Sequence, residues 1–301
     1  MIEWVDSSLS QSRRYFFDAC LGLGRGSNRI RTPTITTPYL KRERILELFS
    51  FFKNWRRNRI LKQPFREQWL NTVSKNVWQY RSLNTKKQKR VRDCTQIMVA
   101  EKNWEGVDGF KITDEVKVTI SATAGLLTLG LEKPFYFDRV ESIIVYPGPI
   151  RNRQLQRGLV VHDEDAFYSG LAWQGGPLIF SWPSALRGSQ RSGDGANVII
   201  HEFVHHIDGL DGEMGGTPII ESADLRQRWE EVFQRRYAEL VDDIESGRRP
   251  AIDEYGGTNL AEFFSVASES FFDSPTRLKH ALPDVYDVLS DFFDIDPIEF
   301  D

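Results

Sequence analysis

Cysteine is almost absent from this chain of 301 residues: Cys20 and Cys94 are the only two, far apart. Two distant thiols make neither a disulfide framework nor a metal-binding pair, and a reducing compartment is their simplest setting. Long apolar runs are lacking as well. No stretch reaches the ~18 residues that mark a spanning helix, so no membrane partner is expected. The first residues, Met1-Ile2-Glu3-Trp4-Val5-Asp6, hold no basic n-region, and Asp18 interrupts the short apolar run at 15–21. An export signal is therefore not expected, and the expected location is cytoplasmic. An excess of positive charge is missing too. The formal net charge of -4 leaves no footprint for direct nucleic-acid binding. With 40% hydrophobic and 27% charged residues the chain is globular rather than disordered, and long enough to bury a sizeable core.

Glycines at 22, 24 and 26 have no clear strand before them and no GK[ST] after them, so a linker is expected rather than a phosphate loop. Residues 1–40 read as an N-terminal extension, partly flexible. From 40 to 101 the pattern is helical, opened by 44–49. Trp69, Leu70, Val73, Val77, Trp78 and Tyr80 recur mostly at spacings of three and four, a stripe facing a core. The basic run at 86–92 reads as the solvated face of a helix. A buried helix is expected over 114–129. Short strands are expected over 142–146, 159–162 and 178–182, the last preceded by Gly175-Gly176-Pro177. Helices follow over 197–209, 223–246 and 259–272, and 278–293 reads as a helical hairpin or a single helix. No βαβ alternation is visible. The expected fold class is α+β, mostly helical, with a small mixed β-sheet beside the helix at 197–209. Residues 41–135 are expected to form a helical region packed on a catalytic core over 136–301.

The sharpest pattern is His201-Glu202-Phe203-Val204-His205, an H-E-x-x-H sequence. Positions i and i+4 of a helix lie one turn apart on one face, so His201 and His205 can reach one metal ion. Glu202 is displaced by about 100° around the helix, beside the metal and within reach of a bound water. Two imidazoles and a carboxylate base are what a zinc hydrolase requires. Bulky apolar neighbours, Ile199, Ile200, Phe203, Val204 and Ile207, bury the helix, and polar groups turned inward on it need compensation that a metal supplies. A core helix whose histidines bind backbone is the plainer alternative, but it leaves Glu202 without a purpose.

A catalytic zinc needs a third protein ligand. No H-x-x-G-x-x-H continuation supplies it, so a metzincin is excluded. His206 points elsewhere on the helix and reads as surface or supporting; His162 and His280 read as structural. A carboxylate on the later helix is expected, and Glu262 and Glu269, seven apart on one face, are the candidates. Asn259-x-x-Glu262 also fits a capping box, so spacing alone leaves the choice open. Asp208, three residues after His205, either accepts a hydrogen bond from the far nitrogen of a ligand histidine or simply ends the helix.

These motifs, together with others in a fixed order, resemble the Mlc titration factor A family, zinc-dependent peptidases of bacteria. The shared landmarks are Trp104-Glu105-Gly106-Val107-Asp108-Gly109-Phe110, Ile143-Ile144-Val145-Tyr146-Pro147, Gly176-Pro177-Leu178-Ile179-Phe180-Ser181-Trp182 and Asn197-Val198-Ile199-Ile200-His201-Glu202. They continue through Asp208, Tyr255, Ala261-Glu262-Phe263-Phe264, Ser268-Glu269 and Phe292-Phe293 before Asp296-Pro297. The resemblance runs from about residue 50 to the end. It implies a zincin-like fold, Zn2+ held by His201, His205 and Glu262, and Glu202 as catalytic base. It further implies that Tyr255, seven residues before the ligand glutamate, hydrogen-bonds the oxyanion. Glu269 is then left, with Asp208, as a supporting group near the ligands. The strand at 178–182, with Gly176, Leu178 and Phe180, is expected to hold an extended peptide or protein substrate through its main chain. The resemblance also implies a second role, the binding and sequestering of a transcriptional repressor of sugar uptake (Mlc). The linker-like residues 21–38 depart from the family pattern.

Overall fold

The computed structural model describes residues 51–149, 176–190, 193 and 195–300. The extension at 1–40, the expected strand at 159–162, Cys20, His162 and Gly175 lie outside the described residues. The described part of the first helix, α1, covers 51–61. After it come α2 (Glu67–Asn76), α3 (Thr85–Glu101), strand β1 (Asn103–Gly106), α4 (Asp114–Leu126) and β2 (Ser142–Tyr146). Strand β3 (Leu178–Ser181) follows, then α5 (Trp182–Gln190), α6 (Val198–Asp208), α7 (Ala223–Glu245), α8 (Leu260–Asp273), α9 (Pro275–Ala281) and α10 (Pro283–Phe293). The segment at 278–293 thus spans the end of α9 and all of α10, a helical pair broken before Pro283, whose ring cannot continue the preceding helix.

Local chemistry sets these boundaries. Asn84, Thr113, Asn197, Ser222 and Asn259 each turn a side-chain oxygen to an otherwise unpaired N–H of the first turn of α3, α4, α6, α7 and α8. Proline opens α9 and α10 at a position where a missing N–H costs nothing.

The sheet is small, as expected, and among the described residues its pairings are all parallel rather than mixed. Its order is β1-β2-β3 and both pairings are parallel, with Trp104 opposite Ile143 and Ile144 opposite Ile179. Parallel neighbours require a crossover, and α4 supplies it between β1 and β2. The chain therefore does contain a βαβ unit. It was hidden because β1 is only four residues long and alternates exposed with half-buried positions. The strand expected to reach Trp182 ends at Ser181, and Trp182 opens α5.

One continuous apolar core runs from Trp69 to Phe300. Its densest part is aromatic. Trp229 stacks on Phe233 at 4.0 Å between ring centroids, with Phe264 edge-on to Trp229 at 4.9 Å. Around the centre of the molecule α6 packs against α8, β3, α4 and α5. Phe203 of α6 lies stacked over Phe180 of β3, while Phe137 meets Phe203 at 4.6 Å. This packing fixes the rotation of α6 about its own axis, and with it the direction of its polar residues.

Candidate metal centre

Helix α6 is buried over nearly its whole length, yet it carries His201, Glu202, His205, His206 and Asp208. Five polar groups in an apolar interior need partners. Most of those partners come from α8, whose own polar residues recur at 262, 265, 269 and 273. The two helices run antiparallel along this seam. Asn197 meets Glu269 and Asp273, His201 meets Glu269 and Glu262, and His205 meets Glu262 and Ser265.

Three atoms converge at the centre of the seam. His201 Nε2 is 3.1 Å from His205 Nε2, and Glu262 Oε2 lies 3.0 Å from the first and 3.1 Å from the second. The far side of each ring is held in turn. His201 Nδ1 is 2.8 Å from Glu269 Oε1, and His205 Nδ1 is 3.2 Å from Ser265 Oγ. With Nδ1–H donated to Glu269, and likewise to the Ser265 hydroxyl, each ring turns an Nε2 lone pair inward. Two lone pairs and a carboxylate oxygen crowded together repel unless a cation lies among them. The donor set, two imidazoles and one carboxylate, suits a divalent metal. The electrostatics agree. Burial alone would lower the pKa of His201, but Glu269 and Glu262 outweigh it and hold the ring well above its ordinary value. Burial likewise opposes ionisation of Glu262, yet His201 and His205 bring that carboxyl down to about 2. The site is built to hold positive charge.

Glu202 stands beside this triad with Oε1 unpaired among the described residues. Burial, opposed by His201 and reinforced by Glu262 and Glu269, pushes its carboxyl up to about 8. A dication held by the triad would oppose that shift and favour the ionised carboxylate. Tyr255 sits on a short 3₁₀ turn, Glu254–Gly257, just before α8, and its ring centroid is 6.0 Å from that of His201.

The other expected site residues fall into two groups. Leu178 and Phe180 are buried, with their side chains in the core against α6. Only the main chain of β3, with Gly176 at its head, is therefore left for contact with another molecule. Asp208 does not reach a ligand ring, since both far nitrogens are taken by Glu269 and Ser265. Its Oδ2 instead accepts the N–H of Gly216 at 2.9 Å. Gly216 has φ +73°, and a Cβ there would lie 2.3 Å from the carbonyl oxygen of Leu260 at the start of α8. Asp208 thus ties the end of α6, through one glycine, to the helix that presents Glu262. Its Oδ1 has no partner among the described residues, and burial, eased by Gly216 and Thr217 and worsened by Asp211, pushes the carboxyl up to about 7.

His206 is not at the surface. It is buried beside Phe137, and burial together with Lys102 and Arg139 brings its pKa down to about 3, so it is a neutral core residue. His280 is exposed on α9, away from the triad. Sequence reasoning missed Ser265 and Asn197 as supports. The signal was present: 262, 265, 269 and 273 recur at spacings of three and four along α8, matched by 201 and 205 on α6 and by 197 at its cap.

Comparison with known proteins agrees with this geometry. A family described as glucose-regulated metallo-peptidase M90 matches residues 52–294. The uncharacterized protein slr2042 of Synechocystis sp. is 33% identical over 253 residues, covering 83% of this chain and 92% of its own length. Mlc titration factor A of Serratia proteamaculans is 29% identical over 223 residues, covering 72% and 83%, and that of Salmonella agona is 27% identical over 223 residues, covering 72% and 82%.

Proposed function

The chain belongs to the glucose-regulated metallo-peptidase M90 family, and on that premise we propose that it is a zinc-dependent peptidase with a zincin-like core. The observation that carries the reading is the convergence of His201 Nε2, His205 Nε2 and Glu262 Oε2 at 3.0–3.1 Å. These three residues hold the ion, and Glu269 and Ser265 orient the two rings behind it. When bound, zinc polarises a peptide carbonyl and lowers the pKa of a water in its open position to about 7.

The protein's residues perform the rest. Glu202 takes a proton from the attacking water as the water oxygen bonds to the carbonyl carbon. Tyr255 donates a hydrogen bond to the oxyanion that develops. Glu202 then passes its proton to the leaving nitrogen as the C–N bond breaks, so water and one peptide bond become a carboxylic acid and an amine. The main chain of β3 aligns the substrate as an added strand, at Gly176, Leu178 and Phe180, because the strand's side chains are committed to the core. The low cysteine content favours action in the cytoplasm.

The decisive experiment pairs metal analysis with a peptide-library digest. Wild-type protein should carry one zinc per chain and cleave. Glu202→Gln should keep the zinc and lose cleavage. Retained cleavage in the zinc-loaded variant would overturn the mechanism.

The name that several relatives carry, Mlc titration factor A, favours a second reading in which the protein binds a Mlc-like transcriptional repressor, with peptidase action secondary. A pull-down with Glu202→Gln separates the two. Binding without hydrolysis should survive that change, whereas no capture of the repressor leaves the peptidase reading alone.

A further inference from the structure

Helix α1 turns the wrong side outward. Its inner face is anchored by Arg57, which is buried and ion-paired to Glu101 and Asp138, with Ile60 and Leu61 against the core. Its outer face carries Phe51 at 65% exposure, Phe52 at 57% and Trp55 at 57%, the most exposed large apolar side chains among the described residues. Positions i, i+1 and i+4 share one side of a helix. Basic groups are interleaved with the aromatic ones. Arg59 stands over the Trp55 ring at 6.0 Å, Arg56 is exposed and gives one hydrogen bond to the Ala100 carbonyl, and Lys62 is exposed at the helix end. Positions 41–62 contain eight basic and two acidic residues, in a chain whose formal net charge is -4.

We propose that α1 is an interfacial helix that docks the protein on an anionic lipid surface. A basic amphipathic helix with phenylalanine, tryptophan and leucine on one face lies in the headgroup region, its apolar side in the acyl boundary and its cations on lipid phosphates. The absence of a spanning run does not bear on such a helix, which needs moment rather than length; no helix among the described residues is long and apolar enough to cross a membrane. Two alternatives fit less well. A second copy would press one strongly basic face against another. Single-stranded nucleic acid is held in a basic groove with its bases stacked on aromatic rings, whereas α1 presents only the convex side of one helix. The inference is independent of the peptidase reading, because the candidate metal triad takes no part in it.

The test is sedimentation of the full chain with vesicles. Protein should pellet with equimolar phosphatidylcholine and phosphatidylglycerol, stay in solution with phosphatidylcholine alone, and be released by salt. Phe52→Ser combined with Trp55→Ser should lower the bound fraction about tenfold, and Arg56→Glu with Arg59→Glu should abolish binding. Melting curves of both variants should match wild type, since all four side chains are exposed. Failure to pellet with the anionic vesicles at low salt would overturn the proposal. So would undiminished binding by either variant, tighter binding to poly-uridylate than to vesicles, or a dimer in solution that the aromatic variant dissolves.

Discussion

At the scale of single residues, the partners behind the triad carry as much information as the triad. Glu269 bonds both to His201 Nδ1 and to the main-chain N–H of Asn197, so one carboxylate orients a ring and caps the helix bearing it. Glu269→Ala should weaken zinc binding by 10–100-fold, roughly the effect of losing a carboxylate behind a metal-bound histidine; competition against a chromogenic chelator measures it. Tyr255→Phe should leave zinc content unchanged and lower kcat by about 10²–10³ with little change in KM, the pattern of a group that acts only on the oxyanion. Asp208 gives a pH test. Its carboxyl is raised from the ordinary 3.8 to about 7 in the folded protein. The folded state thus binds the extra proton between those values, and stability is fully present below about pH 4 and falls as pH rises through about 7. Asp208→Asn keeps an acceptor for the Gly216 N–H and removes the titration. It should be more stable than wild type at pH 8, with the gain vanishing near pH 4, as denaturant melts at the two pH values would show.

At the scale of elements, legibility followed periodicity. Helices α4, α6, α7 and α8 were readable because apolar residues at spacings of three and four and a capping Thr, Asn or Ser coincide at each. The H-E-x-x-H residues were readable because a helix fixes their mutual geometry. Glu262 against Glu269 was not, because both lie on one face seven residues apart, and only the offset between α6 and α8 decides which meets both rings. Strand β1 was not readable either, since four half-exposed residues show no decisive period, and without β1 the parallel crossover could not be seen. Gly216 illustrates a contact invisible to any local rule: it permits a backbone approach between segments 44 residues apart in sequence. Gly216→Ala meets both a positive φ and the Leu260 carbonyl, and should cost about 1–3 kcal/mol, read from the urea midpoint. It should also reduce zinc affinity, because α8 must shift. Asn197→Ala, which removes the α6 cap, should cost about 0.5–2 kcal/mol.

At the scale of the molecule, the two central helices are held together by apolar packing everywhere except along a seam of ionisable groups. On the proposed function, removing the ion would leave that seam uncompensated within the core, so a strong chelator should lower the melting temperature by several degrees and added zinc should restore it. The same seam has a temporal side. His205 and Glu262 are 57 residues apart in the chain. At synthesis rates of about 5–20 residues per second, the glutamate follows the histidine by roughly 3–11 s. A nascent chain therefore presents both histidines of the candidate site well before the glutamate exists, and a chain that stops short of α8 lacks the third group of the triad.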